Sequence, residues 1–353
     1  MANPHFQNMI LWAGNNEATE AKKDQPMFLP YPSDQTFYGY FNDFMTYNSG
    51  DWTITTTEAG SGDASEALTS GAVTATISTT AISDLVHADN GLIAGSDALT
   101  VTVATQALDA DDLVALDATT TLPITLSHAD KTITGNIADV TAVFASDGIT
   151  IGQDDVNVVV TGNVTVAQLN VIQAQTTGSI TAASVTTTDL TTLSTINGSA
   201  LANGSGNAYT ITVGDSSVTA AALKTVNDAT TVAVTATAVT NITGSKTDLA
   251  SVYGGGITGL GNETITVSDA NITSTEANTI DGYTTGAVTA TISTTDITAL
   301  DDLTGTGNAY TITVATADVT AAALKTVNDA TTVAVTATAV TNITGSKTDL
   351  ASV

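Results

Sequence analysis

Two short patterns of alternating apolar and threonine residues recur along most of the chain. One resembles TITV and starts at Thr100, Asn157, Thr210, Thr264 and Thr311. The other resembles VTAT and starts at Val73, Ile124, Ile180, Val234, Val288 and Val335. In both patterns the apolar side chains fall on one face and the threonines on the other. This period of two is typical of a β-strand.

The two patterns alternate with regular spacing. The second follows the first after 23 or 24 residues, and the first returns after a further 23–33 residues. Between them lie polar links and segments such as AAALKTV and GSKTDLASV, which predict one or two helical turns with Ser, Thr or Asp as N-caps. We expect Gly254 to end a helix at 246–253.

A long identical repeat supports this reading. The string VTAAALKTVNDATTVAVTATAVTNITGSKTDLASV occupies 218–252 and again 319–353, an offset of 101 residues. Such periods predict a mainly β fold: a right-handed parallel β-solenoid-like rod, with coils of about 23–33 residues and short helical turns in the crossovers. Eleven coils stacked ~4.8 Å apart would give a rod of roughly 50 Å. The alternative is a tandem array of small β-sandwich domains.

The composition changes near residue 52. Eleven of the 16 aromatic residues lie in 1–52, and three prolines at 26, 30 and 32 prevent a long helix there. We expect an extended, aromatic-rich N-terminal arm that caps the repeats, docks on a partner, or does both. The docking candidates are Trp12, Phe28, Tyr31, Phe37, Tyr38, Tyr40, Phe41 and Phe44.

The repeat region is predicted to span 53–353. Its long units start near residues 100, 157, 210, 264 and 311, and the last unit is incomplete. Within these units Tyr209 and Tyr310 occupy the same position, and we expect each to pack at the edge of a coil. Four aspartates recur in the links and are expected to bond nearby backbone amides: Asp189, Asp215, Asp269 and Asp318.

Charge and cysteine content exclude several functions. The chain has 7 Lys+Arg against 35 Asp+Glu, a net charge of -28, which argues against binding to nucleic acid or anionic membranes. It has no Cys, so it has no disulfides, thiol nucleophile or Cys zinc site. The three histidines share no catalytic motif. We therefore expect no enzymatic activity, no cofactor and no membrane insertion.

One acidic cluster is a weak candidate for calcium. Asp109, Asp111 and Asp112 lie within four residues of one another. They match neither an EF-hand loop nor the nonapeptide repeat of calcium-loaded solenoids. A solvated acidic turn is the preferred interpretation.

Two stretches carry a resemblance to known proteins. FYGYFNDFMTYNSGDWTITTTEAGSGDASEAL at 37–68 resembles the N-terminal region of virion structural proteins of marine tailed phages, of the cyanophage and pelagiphage type. The later units, with VTAAALKTVNDATT, NITGSKTDLASVYGGGITGLGN and TIDGYTTGAV, are similar to repeats in very long proteins of marine cyanobacteria and their phages.

The resemblance implies a non-enzymatic component of a phage virion, either a fibre or a capsid-attached appendage. Its partners would be other virion proteins, reached through the N-terminal arm, and a glycan or protein of the host surface. A homo-oligomer is compatible with this role. One alternative is a secreted or cell-surface adhesin of a marine cyanobacterium. Another is a solenoid tailspike that degrades polysaccharide.

Overall fold

The computed structural model describes residues 44–48, 51–55, 73–79, 82, 86, 98–152, 155–196 and 206–353, the first three of these ranges by their backbone. The described strands are β1 (Phe44–Asn48), β2 (Asp51–Thr55), β3 (Val73–Thr79), β4 (Ala98–Val103), β5 (Ala107–Asp109), β6 (Ile124–Leu126), β7 (Thr132–Asn136), β8 (Ile149–Thr150), β9 (Asn157–Val164), β10 (Ile180–Val185), β11 (Ala208–Tyr209), β12 (Ser217–Thr219), β13 (Val234–Thr235), β14 (Asn241–Gly244), β15 (Ile257–Thr258), β16 (Thr264–Val267), β17 (Val288–Thr291), β18 (Ala309–Thr311), β19 (Asp318–Thr320) and β20 (Asn342–Thr344).

Helices lie between many of these strands. They are α1 (Ala110–Asp117), α2 (Ile137–Ala145), α3 (Val166–Gln173), α4 (Leu190–Leu193), α5 (Ala220–Asp228), α6 (Lys246–Tyr253), α7 (Ser274–Asp281), α8 (Ile297–Leu300), α9 (Ala321–Asp329) and α10 (Lys347–Leu350). Several are eight or nine residues long, so the fold is α/β. We expected a mainly β fold with only one or two helical turns between the strands, and several helices are longer than that. Segments such as AAALKTVND are rich in Ala, Leu and Lys, which favour the helix.

The chain divides into two units. In the first, residues 1–161 with 174–178, the strands of one sheet lie in the order β1-β2-β3-β4-β6-β8, and β5 pairs β7, which pairs β9. In the second, residues 162–173 with 179–353, the order of the main sheet is β12-β14-β16-β17-β18. Three smaller parallel pairs, β10–β11, β13–β15 and β19–β20, belong to this second unit.

The strands are mostly parallel, as the repeat predicted. Among the described strand pairs, β1–β2 alone is antiparallel, with Asn48 opposite Asp51. That hairpin runs across residue 52, where the composition changes. A tandem array of β-sandwiches would need antiparallel pairs throughout, so the described pairing does not support this alternative.

In β13–β15 and β14–β16, similar residues lie opposite one another. Ile242 lies opposite Ile265 and Thr243 opposite Thr266, and the same holds for Val234 with Ile257. Apolar side chains therefore continue one another across the sheet on the buried face. The partners are 23 residues apart along the chain, which is the spacing of the sequence patterns.

The two identical copies show how much burial a neighbouring coil provides. Ile242 in β14 and Leu249 in α6 are 0% exposed, because β16 and α7 pack against them. Their counterparts Ile343 and Leu350 are 43% and 47% exposed. The sequence is the same, so the difference comes from the coil at 257–281 that covers the first copy. One coil does not bury its own apolar face.

Threonine hydroxyls join each coil to the previous one. Thr230 Oγ1 donates to the carbonyl of Tyr209, 2.9 Å away, and accepts the backbone N–H groups of Tyr209 and Val232 at 2.8 and 3.1 Å. The same donor bond to a carbonyl 20 or 21 residues earlier recurs at four other positions. We call these five residues the threonine clasps: Thr120, Thr176, Thr230, Thr284 and Thr331.

At several helix N-termini, backbone N–H groups are bonded both by a local N-cap and by a side chain from the following coil. Each long helix after residue 215 begins with a local N-cap, such as Thr219 for α5 and Ser245 for α6. In addition, Asp269 accepts the N–H of Lys246 at 2.7 Å from the following coil. Asp215 does the same for Leu190, and Thr294 for Ser274. In α4, α6 and α7, two otherwise orphan amides per helix therefore find partners.

Several local predictions can now be compared with these bonds. The helix at 246–253 ending at Gly254 is confirmed, as are the Ser, Thr and Asp N-caps. Asp189 bonds the nearby amide of Thr192, as expected. For Asp215 and Asp269 the expectation was wrong, because their amide partners lie 25 and 23 residues earlier in the chain.

The prediction for the two equivalent tyrosines was also wrong. Tyr209 and Tyr310 are 0% and 1% exposed, so they belong to the core and not to a coil edge. Neither hydroxyl has a hydrogen-bond partner among the described residues. Burial raises the pKa of both phenols well above the ordinary value.

The clasp at Thr230 leads to a first prediction. Replacing it with Val removes one donor and one acceptor and leaves the buried amide and carbonyl of Tyr209 unpaired. We expect the free energy of unfolding to fall by about 1–3 kcal/mol. The measurement is urea unfolding followed by circular dichroism, with Thr289→Val, at an exposed position of β17, as the matched control. Equal stability of the two variants would contradict a structural role for the clasp.

Candidate functional site

The predicted docking residues fall almost wholly outside the described part of the chain. This applies to Trp12, Phe28, Tyr31, Phe37, Tyr38, Tyr40 and Phe41. Phe44 is the first residue of β1, where its backbone lies opposite Thr55. Docking by these aromatic residues stays a prediction.

The acidic cluster at 109–112 forms the start of a helix. Asp109 is the N-cap of α1, and its Oδ1 accepts the N–H of Asp111 at 3.0 Å. Burial, and then repulsion from Asp109 and Asp111, raise the pKa of Asp112. Within the described ranges, no group of three or more His, Asp or Glu side chains could hold a metal ion. The carboxylate of Asp109 therefore has a helix-capping role.

The coil at 257–285 departs from the repeat and forms the candidate site. The residue before TITV is Tyr209 in one unit and Tyr310 in another, both buried. In this coil the same position is Glu263, which is 0% exposed. A buried carboxyl group is costly unless it is hydrogen-bonded. The side chain at this position therefore needs hydrogen-bond donors in the core, unlike the buried rings of Tyr209 and Tyr310.

Glu263 is satisfied by two groups. The hydroxyl of Tyr253, at the end of α6, donates to Oε2 at 2.8 Å. The N–H of Gly261 lies 2.8 and 2.9 Å from the two carboxyl oxygens. Gly261 has φ +127, a conformation that L side chains rarely adopt, and it directs this N–H toward the carboxyl group. Burial, followed by the bond to Glu263, raises the pKa of Tyr253.

Tyr253 in turn supports a second tyrosine. Its ring stacks on that of Tyr283, with centroids 4.9 Å apart and an interplanar angle of 10°. Tyr283 precedes the clasp Thr284; the residues preceding the clasps Thr230 and Thr331 are Ala229 and Ala330, both buried. Tyr283 is half-buried, so a small core residue is replaced here by a large ring at the surface.

A charged pair connects the same two helices. Lys246 at the start of α6 forms an ion pair with Glu276 in the first turn of α7. Glu276 also completes a capping box with Thr273. The hydrogen bond between the two charged groups lowers the pKa of Glu276 and raises that of Lys246. The pair fixes two polar groups at one position between α6 and α7.

These residues border a groove between α6 and α7. It has a volume of about 530 Å³ and is lined by Lys246, Glu276 and Tyr283, with the hydroxyl-bearing Thr247, Ser251 and Thr279. Tyr253 stacks on Tyr283 but is not among the residues that line the groove. The groove therefore offers one aromatic ring that packs on a second ring, one ion pair and three hydroxyl groups. Such a combination suits the binding of a small polar molecule.

The sequence patterns alone did not identify these residues. Glu263 and Tyr283 could have been found as the departures from a repeat that has Tyr209, Tyr310, Ala229 and Ala330 at the same positions. No comparable signal marks Lys246, since Lys347 has the same sequence context. Its pairing with Glu276, 30 residues later, is known only from the fold.

Comparisons with known proteins do not extend this picture. No protein-family model, curated protein or solved structure matches the chain. None of the helices in the described part of the chain has the length and apolar character of a membrane span. The site is therefore interpreted from its own geometry.

The buried bond between Tyr253 and Glu263 leads to a second prediction. Tyr253→Phe removes the hydroxyl but keeps the ring, leaving Glu263 Oε2 with fewer donors in the core. We expect the free energy of unfolding to fall by about 1–3 kcal/mol in urea titrations. Tyr283→Phe is the matched control, and we expect it to change stability little. A smaller loss in Tyr253→Phe than in the control would refute this role.

The ion pair leads to a third prediction, on pH. The pKa of Glu276 is lowered in the folded state from an ordinary value of 4.5. The stabilisation by the pair should therefore be complete above about that pH and be lost as the pH falls through the folded pKa. We expect the stability difference between wild type and Lys246→Ala to shrink between pH 7 and pH 3 in urea titrations. In a Glu276→Gln background the same lysine substitution should show no such pH dependence.

Proposed function

We propose that this chain is a non-enzymatic structural component of a phage virion, a fibre or capsid-attached appendage. In this proposal the coils continue one another as a right-handed parallel β-solenoid, which projects as a rod. The N-terminal arm docks on other virion proteins. The observation that carries the proposal is the in-register parallel pairing of strands whose partners lie 20–27 residues apart along the chain in each unit.

The chemistry of the repeats supports a rigid structural role. The clasps and the caps from neighbouring coils satisfy backbone groups through short side chains, so each described coil is held by several bonds to the next. Hydroxyls and carboxylates elsewhere on the surface keep an acidic, water-compatible exterior. Such a build suits an exposed appendage. The resemblance of residues 37–68 to marine phage virion proteins supports a location on the virion.

The same architecture would serve a cell-surface adhesin, so the location needs a direct test. Antibodies raised against residues 206–353 can be applied to purified virions of the source phage and viewed by electron microscopy. Labelled filaments on the particles would support the virion role. Unlabelled virions, together with labelled cell surfaces, would favour the adhesin instead.

The docking arm leads to a fourth prediction. Deleting residues 1–43 removes seven of the eight docking candidates and leaves both strands of the β1–β2 hairpin in the chain. We expect this variant to unfold in urea like the full chain but to lose co-sedimentation with particles that lack the native protein. Large aromatic residues often dominate such interfaces, which is the reason for the expected loss. Unchanged co-sedimentation of the shortened chain would overturn the docking role of the arm.

A further inference from the structure

We propose that the groove between α6 and α7 is a binding site for an uncharged sugar ring. This inference rests on residues of the second unit alone and does not depend on the virion assignment. It begins from the repeat itself. Two departures from the repeated pattern, Glu263 and Tyr283, are connected through one residue, Tyr253.

The connection explains why the departures occur together. Glu263 in the core anchors the hydroxyl of Tyr253, and the ring of Tyr253 stacks on that of Tyr283. A supported ring loses little conformational freedom when a ligand packs on it, which favours binding. Packing of the solenoid does not require this arrangement, because Ala229 and Ala330 fill the position equivalent to Tyr283 elsewhere.

The groups around the ring match the chemistry of a sugar. A pyranose has C–H groups that pack on an aromatic face and hydroxyls that both donate and accept hydrogen bonds. Tyr283 supplies the ring, and the polar groups of the groove are Lys246, Glu276 and the hydroxyls of Thr247, Ser251 and Thr279. Pockets of this kind combine an aromatic surface with a few fixed polar groups that set orientation.

Charge restricts the class of sugar. The ammonium group of Lys246 is already paired with Glu276, so the groove offers an anion no free positive charge. The whole chain carries a net charge of -28, which repels acidic polysaccharides at a distance. An uncharged hexose or N-acetylhexosamine fits these conditions better than a uronic acid or a sugar phosphate.

A second groove in the same unit provides an internal comparison. It lies beside α4 and α5, has a volume of about 480 Å³, and is lined by Thr191, Asp215, Asn241 and Thr243 among others. It is as polar as the first groove but includes no aromatic side chain. We expect no sugar binding there, so the ring at Tyr283 is the feature that separates a polar depression from a sugar site.

The test is saturation-transfer difference NMR on the full chain. The probes are the methyl glycosides of glucose, galactose and mannose, N-acetylglucosamine, and glucuronic acid as the anionic comparison, all at millimolar concentration. Irradiation of the tyrosine ring protons should transfer saturation to the C–H protons of at least one uncharged sugar. Glucuronic acid should show less transfer.

Variants assign the signal to the groove. Tyr283→Ala introduces the residue found at 229 and 330 and should weaken binding by about tenfold or more, whereas Tyr283→Phe should retain it. The matched control is Lys325→Ala, which removes the Lys325–Asp329 ion pair on α9, away from the groove. If Tyr283→Ala does not fold, Lys246→Met combined with Glu276→Gln takes its place with the same expectation.

Three results would overturn the proposal. The first is the absence of transfer to every uncharged sugar. The second is equal binding by wild type and by Tyr283→Ala, or by the Lys246→Met and Glu276→Gln double variant in its place, which would put the site elsewhere. The third is preferential binding of glucuronic acid. None of these results would bear on whether the chain is part of a virion, so the two proposals fail separately.

Discussion

The bond from a threonine hydroxyl to a carbonyl in the previous coil is the interaction on which the described architecture depends. Where the chain leaves a helix and enters the next strand, its backbone groups no longer have partners within one element. The Thr230 hydroxyl bonds such groups in the previous coil: it donates to the carbonyl of Tyr209 and accepts the N–H of the same residue. The side chain is short and β-branched, so little conformational entropy is lost when it is held.

This bond also sets the register of the coils. The partner carbonyl lies 21 residues earlier in four of the five clasps and 20 residues earlier at Thr176, so the interval between hydroxyl and carbonyl is nearly constant. Within a strand, a one-residue shift of the pairing would turn the buried face outward. The abundance of Thr therefore reflects two roles: a water-tolerant residue on the exposed face of a strand, and a polar connector between coils.

The features that could be predicted from the sequence are those with short-range causes. Alternation of Ile, Val and Thr indicated the strands, and Ser245 with Gly254 indicated both ends of α6. The partners of Thr230, Asp215 and Asp269 could not be predicted, since each lies more than 20 residues away and depends on how coils align. The position of Tyr209 was misjudged for a related reason. The sequence predicted that Tyr209 packs at the edge of a coil, yet it is fully buried.

Because the chain is repetitive, a residue of the candidate site can be compared with the residues at the same position in other units. Glu263 stands where Tyr209 and Tyr310 stand before the same TITV pattern, so the change of residue there identifies a local cost. At Glu263 that cost is the burial of a carboxyl group, and it is offset only because Tyr253 and Gly261 bond to it. The compensation lies partly outside the core: the residue that satisfies Glu263 also holds Tyr283 at the groove. The buried carboxyl group of Glu263 is thus coupled, through the hydroxyl of Tyr253, to the position of an aromatic ring that lines the groove. The link between core and groove is therefore a property of this coil and not of the repeat.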